Sequence, residues 1–404
     1  MKRTIVLAAA FALASAHAGD FSQLQRGKYL VQAGDCQSCH TDKNGPPFAG
    51  GRAIPTPFGT IYSRNITPDP ATGIGGWSDE DFYRAMHEGI SRDGSHLYPA
   101  FPYPWYTRLT RDDVRAIKSY LDTLEPVRQE IPPNKLHWPM SWRSLVSVWN
   151  SLFFKEGEWQ PDTSKSAEWN RGGYLVEGPG HCGACHSPKN LLGGVKKGDA
   201  FEGGEGENWL APDLTGRTLG GLSEWSVDEI AQFLLTGAND RTRANGPMAE
   251  VVELSTSHMT ESDAKAMATY LKDLPNGASV AAKKTADTAQ DTARGRALYL
   301  DNNCTACHME DGAGQPGIFP RLKGSAIVQQ ADPATAIHLV LSGSRAAATD
   351  ANPNRFAMPP FGGKLSDDDV AALLTYVRSA WGNRGGAVSA SDVRSVRKQV
   401  IASK

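Results

Sequence analysis

The strongest constraint on this chain is a five-residue pattern that occurs three times. Each copy has two cysteines separated by two residues and followed directly by a histidine. The 404-residue chain contains 6 cysteines. The pattern uses all of them, so none remains for a disulfide or a free nucleophile. The copies are Cys36-Gln37-Ser38-Cys39-His40, Cys182-Gly183-Ala184-Cys185-His186 and Cys304-Thr305-Ala306-Cys307-His308.

This spacing is the attachment signal for c-type haem, in which two thiols add to the vinyl groups of one porphyrin and the histidine ligates the iron. A zinc site would need four ligands in a closed tetrahedron, and no second cysteine pair is near any copy. A dithiol enzyme would not need histidine at the same place three times. We therefore predict three covalent haem c groups, with His40, His186 and His308 as proximal ligands.

Each motif belongs to a larger repeat. An arginine–glycine pair precedes the cysteines, and a helix that begins at a Ser/Thr-x-x-Asp capping pair closes each copy. A middle helix ending at glycine recurs at 77–89, at 225–237 and more weakly at 333–343. No stretch of alternating apolar and polar residues is long enough to indicate a β-sheet. The pattern predicts an all-α chain of three tandem class I cytochrome c domains. The pairs are Arg26-Gly27, Arg171-Gly172 and Arg294-Gly295, and the capping pairs are Thr110/Asp113, Thr260/Asp263 and Ser366/Asp369.

The amino terminus has the pattern of a signal peptide over 1–18. Two basic residues precede a short apolar stretch, and Ala16-His17-Ala18 forms a small-x-small cleavage site. A retained membrane anchor is the alternative, but the stretch is short for a bilayer. Cleavage would leave a mature chain outside the cytoplasm. The predicted boundaries after the signal peptide are domain 1 at 19–125, a Pro/Trp-rich linker at 126–168, domain 2 at 169–275, a linker at 276–292, domain 3 at 293–382 and a C-terminal tail at 383–404.

The charge balance excludes one class of partner. Lys and Arg number 42 against 44 for Asp and Glu. A nucleic-acid-binding protein would show a basic excess, so we expect no nucleic-acid partner.

A sixth iron ligand must come from outside each motif, and methionine is the usual one in electron-transfer cytochromes. In the third repeat, Met358 lies in a loop before the last helix. Met248 occupies the corresponding place in the second repeat. Met259, directly beside the helix cap Thr260, is the rival of Met248, whereas Met267 falls inside the helix and fits a core position better.

The first repeat departs from this pattern because the matching place holds Phe101, which cannot ligate iron. The candidates are Met86 and His87 at the end of the middle helix and His96 in the following loop. We favour Met86, which lies one turn before Gly89. The alternatives are a His ligand, or a five-coordinate iron with Met86 in the core.

The first repeat also carries a specific series of segments around its cysteines. With these segments the chain resembles the tri-haem cytochrome c subunit of membrane-associated bacterial dehydrogenases, over roughly 20–382. Phe101 departs from the alcohol dehydrogenase branch, which typically has methionine there. The segments are Ala33-Gly34-Asp35-Cys36, Phe48-Ala49-Gly50-Gly51, Thr60-Ile61-Tyr62-Ser63, Asn65-Ile66-Thr67-Pro68-Asp69, Gly73-Ile74-Gly75 and Leu97-Tyr98-Pro99-Ala100.

The resemblance implies an electron-transfer subunit without substrate chemistry of its own. Its electrons would come from a catalytic flavoprotein, quinoprotein or molybdenum subunit and pass to ubiquinone or a terminal oxidase. It implies a periplasmic location at the outer face of the inner membrane, with peripheral membrane association. Two alternatives stay open: a haem enzyme of the peroxidase kind that uses an open iron in the first repeat, and a free multi-haem carrier.

Two surfaces are candidates for contact with partners. The Pro/Trp-rich linker could dock another protein, or its aromatic residues could pack the first two domains together. The basic residues of the tail could contact an anionic membrane surface, or the tail could be merely solvated. These residues are Arg384, Arg394, Arg397, Lys398 and Lys404.

Overall fold

The computed structural model describes residues 21–206, 209–217, 221–275, 289–354 and 356–402. The predicted signal peptide and most of the predicted linker 276–292 lie outside these residues. The described chain divides into two compact units. The first holds the residues up to Pro161 together with Glu177–His181, and the second holds Asp162–Val176 and the residues from Cys182 onwards. The first unit therefore contains one Cys-x-x-Cys-His motif and the second contains two.

Helices dominate both units. Those of the first unit are α1 (21–33), α2 (Cys36–His40), α3 (Asp79–Glu88), α4 (Tyr103–Tyr106), α5 (Arg111–Leu121) and α6 (Leu145–Phe153). The chain continues with α7 (Ala167–Glu177), α8 (Gly183–His186), α9 (Val227–Thr236), α10 (Pro247–Leu254), α11 (Glu261–Lys272), α12 (Ala289–Asp301), α13 (Thr305–His308), α14 (Ala326–Gln329), α15 (Ala334–Ser342), α16 (Asp367–Ser379) and α17 (Ala390–Ala402). Within the described residues, no helix is both long and apolar enough to cross a membrane.

One helix crossing occurs in all three copies of the repeat. The helix before each motif crosses the last helix of the copy at the glycine of the arginine–glycine pair. Any side chain there would collide with a backbone carbonyl, so the crossing requires glycine. The neighbouring arginine pairs with the aspartate three residues after the helix cap. A Cβ would lie 1.9 Å from the Ala116 oxygen at Gly27, 1.9 Å from the Ala266 oxygen at Gly172 and 2.1 Å from the Ala372 oxygen at Gly295. The ion pairs are Arg26–Asp113, Arg171–Asp263 and Arg294–Asp369.

The middle helices begin and end where the sequence predicts. Ser78 and Ser226 cap α3 and α9 through complete capping boxes. Gly89 and Gly237 end them in the left-handed conformation, with φ of 68° and 69°. Glycine adopts this conformation without a Cβ clash. These predictions are confirmed.

The expectation of a chain without strands is wrong. Strands β1 (Ala53–Thr56), β2 (Gly59–Tyr62) and β3 (Lys135–Leu136) form an antiparallel sheet in the first unit. In the second unit, β4 (Gly204–Gly206) pairs with β5 (Trp209–Ala211), and β6 (Ser344–Arg345) pairs with β7 (Ala357–Met358). Strands of two to four residues are too short to show a period in the sequence.

The segments predicted as linker and tail carry structure of their own. Residues 126–168 include β3, which extends the sheet of the first unit, and α6. Residues 390–402 form α17, which buries Val393, Val396 and Val400 in the core around the third motif. Arg397 donates to the backbone oxygens of Gly362 and Leu365. The interpretation of this segment as a solvated tail is therefore wrong.

Candidate haem sites

The three motifs share one backbone geometry. In each, the second cysteine and the histidine lie on a short helix, α2, α8 or α13, and the first cysteine begins α2 and occupies the N-cap position of α8 and α13. The residue before the first cysteine has a positive φ: 50° at Asp35, 35° at His181 and 56° at Asn303. Non-glycine residues seldom adopt this conformation. Its presence at one position of all three motifs indicates a shared structural demand rather than chance.

The motif histidines are held in the same way. Nδ1 of His40 lies 2.6 Å from the backbone oxygen of Arg64. The corresponding distances are 2.8 Å from His186 to Pro212 and 2.9 Å from His308 to Pro320. A carbonyl oxygen can only accept, so Nδ1 carries the proton and Nε2 keeps a free lone pair. Each imidazole is thereby oriented and left with one nitrogen able to bind a metal.

Electrostatics favour the neutral, metal-binding form of these histidines. Burial lowers the pKa of His40, His186 and His308 below the ordinary value, and the backbone carbonyl opposes this only in part. A charged imidazolium would have no lone pair to give to iron.

None of the six cysteines forms a disulfide. Burial raises the pKa of Cys36 to about 12, and the negative charge of Asp35 adds to the effect. Burial also raises the pKa of Cys304. Protonated thiols resist oxidation, because the thiolate is the reactive form. Gly206 leaves room next to Cys185, since a Cβ there would lie 3.0 Å from its sulfur. The donor set of thiols and oriented neutral imidazoles fits covalent haem.

The second and third motifs each have the predicted methionine in the same unit. Met358 lies in β7, half-buried against the core around the third motif. Met248 lies in the first turn of α10, packed against the small core cluster of Ala249 and Val252. Met267 is 1% exposed, as expected for a core residue.

The first unit offers different groups. Phe101 packs edge-on against Tyr106, at 5.5 Å between ring centroids. Met86 is buried in α3. Nδ1 of His87 lies 3.3 Å from Oε1 of Glu156, and its ring stacks on Tyr83. Nδ1 of His96 is buried without a hydrogen-bond partner among the described residues.

Sequence reasoning missed two kinds of group at these sites. The first is Tyr106, whose buried hydroxyl donates to the backbone oxygen of Gly34 at 2.8 Å, beside the first motif. Burial, together with the nearby cysteines, raises the pKa of Tyr106 well above its ordinary value. The second is the set of backbone carbonyls that orient the histidines. Two of these carbonyls belong to prolines, Pro212 and Pro320, which were the only visible hint. A backbone carbonyl is present in every residue, so a residue pattern cannot identify it.

Comparison with known proteins identifies the family. The Cytochrome c family model matches residues 24–125 and 292–381. The second motif lies between these two regions, and it shares the helix crossing and histidine geometry of the other two.

Relatives align over almost the whole chain. The cytochrome c subunit of quinone-dependent alcohol dehydrogenase from Gluconobacter oxydans is 39% identical, covering 97% of this chain and 86% of the relative. The cytochrome c subunit of gluconate 2-dehydrogenase from Pantoea cypripedii is also 39% identical, covering 96% and 92%. A nicotinate dehydrogenase component from Pseudomonas putida is 43% identical, covering 93% of this chain but 32% of that longer protein.

Proposed function

We propose an electron-transfer function for this chain, which belongs to the family of cytochrome c subunits of dehydrogenase complexes. One observation carries the proposal: three Cys-x-x-Cys-His motifs in one chain present an imidazole held by a backbone carbonyl in the same way. Three equivalent iron sites suit a relay between a donor and an acceptor, whereas a single site would suffice for most haem enzymes.

Each motif would hold one haem c, giving three per chain. When bound, each haem supplies an iron that takes up and releases one electron. The cysteine pairs would anchor the porphyrins through thioether bonds, so that an exported protein does not lose them. His40, His186 and His308 would bind the irons through Nε2, and the Nδ1 bonds to carbonyls would raise the basicity of these ligands.

We propose Met248 and Met358 as sixth ligands in the second unit, because a thioether raises the reduction potential relative to imidazole. For the first iron we propose Met86, which is buried in α3, ahead of its neighbour His87. His96 is its rival. The variants Met86→Leu and His96→Ala separate the two, because only replacement of the true ligand changes the low-spin spectrum of one haem.

We further propose the surroundings of this relay. The electrons would enter from a catalytic dehydrogenase subunit of flavin, quinoprotein or molybdenum type and leave to membrane quinone or a terminal oxidase. The predicted signal peptide at 1–18 supports a periplasmic location, and membrane quinone as acceptor would place the chain at the outer face of the inner membrane.

Gentle affinity purification of the tagged protein from native membranes tests this function, with mass spectrometry of what accompanies it. We expect a large flavin, quinone-cofactor or molybdenum protein at equal stoichiometry, whose identity would name the substrate class. A chain recovered alone from the soluble fraction would contradict the subunit function.

A haem enzyme is the second candidate, and Phe101 in place of a methionine is the observation that favours it. An enzyme would need an open iron position in the first unit. Carbon monoxide binding to the reduced protein separates the two functions, because a haem with both axial positions filled resists this ligand. No binding is expected for the relay, and stoichiometric binding at one haem for the enzyme.

A further inference from the structure

An apolar face in the first unit remains without a covering element among the described residues. It consists of Trp138, Trp142, Leu145, Val148 and Leu152, and we call it the Trp–Leu face. The exposed fractions are 76% for Trp138, 56% for Trp142, 36% for Leu145, 55% for Val148 and 64% for Leu152. Clustered exposure of this size marks an interaction surface, because single exposed apolar residues are normally scattered.

The face is held in place from its other side. Leu145, Val148 and Leu152 are spaced so that they share one side of α6. On the opposite side, Val146 is buried and Asn150 accepts a hydrogen bond of 2.5 Å from the Tyr103 hydroxyl. The apolar side chains therefore point outward from a fixed helix, and their exposure does not come from a loose end of chain.

The charged residues near the Trp–Leu face indicate which kind of partner it binds. Between Glu130 and Glu156 the chain has no acidic residue, whereas Lys135, Arg143 and Lys155 are basic. Lys135 and Lys155 are both exposed. An apolar helix flanked by tryptophan and cationic residues matches the surface of an anionic bilayer. There, indole rings occupy the headgroup level and lysines meet phosphate groups.

The hydroxyl groups of the helix support the same assignment. Ser147 Oγ donates to the backbone oxygen of Ser144, and Ser151 Oγ donates to that of Val148, both at 2.7 Å. These hydroxyls are satisfied within the helix. An apolar medium makes unsatisfied polar groups costly, so such pairing is what a helix embedded in lipid requires.

We infer that the Trp–Leu face binds the surface of an anionic phospholipid bilayer, with α6 lying in the plane of the headgroups. The inference deepens the proposed function, because it names the surface by which the chain meets the membrane. The pairing of Trp138 with Trp142, 6.1 Å between ring centroids, gives this face an aromatic edge.

Co-sedimentation with vesicles tests the inference on the purified mature holo-protein. The vesicles contain either phosphatidylcholine alone or phosphatidylcholine with phosphatidylglycerol. We expect binding to the anionic vesicles and a loss of more than about tenfold in the variant Trp142→Ser/Val148→Ser/Leu152→Ser. The control is Leu191→Ser, which removes a leucine that is 96% exposed in the second unit and is expected to leave binding unchanged.

A second arm tests the charge. The variant Lys135→Glu/Lys155→Glu should reduce binding to anionic vesicles while leaving the haem spectrum and helical content intact. If the triple variant does not fold, Leu152→Ser alone replaces it, with an expected loss of about threefold or more.

Two results would overturn the inference. One is a wild-type protein that stays in the supernatant with anionic vesicles. The other is a triple variant that binds vesicles as wild type does but no longer co-purifies with its dehydrogenase, which would assign the face to a protein partner. Because the vesicle assay needs no partner, its failure is distinct from failure of the electron-transfer proposal.

Discussion

At the three candidate iron sites, the residues that would attach the haem share one geometry, whereas the candidates for the sixth iron ligand differ. On the cysteine side, the three motifs share a short helix, a positive φ before the first cysteine and a histidine bonded to a carbonyl. Among the candidates for the sixth ligand, Met248 lies in the first turn of a helix, Met358 lies in a strand, and Phe101 stands where methionine is expected. The backbone geometry of the motif is therefore the same in all three copies, whereas the side chains proposed as sixth ligands differ from copy to copy.

The largest expected effect tests whether each of the three motifs attaches one haem. Replacing both cysteines of any one motif by serine should lower the covalent haem content by one group. The other two motifs should be unaffected, because each motif histidine is held by a different backbone carbonyl. Intact-mass spectrometry of the purified protein measures this. The double variants at Cys36/Cys39, Cys182/Cys185 and Cys304/Cys307 serve as controls for one another. A pair whose loss leaves the haem content unchanged would show that its motif attaches no haem.

The next effect concerns the proposed sixth ligands Met248 and Met358, with Phe101 as the contrast. Met248→Leu and Met358→Leu should each open one iron to carbon monoxide and lower its reduction potential, by a fraction of the roughly 0.8 V over which axial ligands tune haem. Phe101→Leu should change neither property, because phenylalanine cannot ligate iron. Spectroelectrochemical titration with and without carbon monoxide gives both readouts. An unchanged potential in either methionine variant would remove that residue from the ligand set.

The helix crossing offers a smaller effect on stability. Gly172→Ala would place a Cβ against a backbone carbonyl and should reduce the free energy of unfolding by about 3 kcal/mol. Gly363→Ala is the matched control in the same unit, since a Cβ there meets nothing within 4 Å. Its change should stay within about 0.5 kcal/mol. Denaturant unfolding followed by circular dichroism compares the two, and equal losses would contradict the account of the crossing.

The smallest effect concerns the ion pair beside the crossing. Hydrogen bonds from Ser366, and then the pairing with Arg294, lower the pKa of Asp369 below its ordinary value of 3.8. A lowered pKa contributes stability above 3.8 that is lost as the pH falls through the folded-state pKa. Arg294→Gln should cost about 0.5 kcal/mol at neutral pH. Asp369→Asn should remove part of the acid-dependent loss in unfolding measured from pH 7 downwards. An acid response identical to wild type would show that the pair contributes nothing.

The sequence predicted the features that arise between residues a few positions apart. It did not predict the contacts between residues far apart along the chain. The motifs and the capping boxes at Ser78 and Ser226 follow from residues a few positions apart. The arginine–glycine pairs were also visible as a repeat, but the helix crossings at their glycines were not predicted. The strand pairing of Gly59 with Leu136 joins residues too far apart, in strands too short, for periodicity to show it.

The errors have the same physical origin. The packing of α17 depends on three valines spaced along a helix, Val393, Val396 and Val400, beside basic residues that suggested a solvated tail. The carbonyls that orient the histidines are backbone atoms, common to every residue. Which side chain completes the first iron site depends on tertiary packing around α3, and the sequence could only name the candidates.

We propose that one chain carries three equivalent haem attachment sites and that each haem exchanges one electron. Coulometric reduction of the purified mature holo-protein, with the visible spectrum recorded at each step, tests it most directly. We expect three covalent haems and three electrons per chain. Two haems, or a haem that accepts no electron within the range of its neighbours, would contradict it.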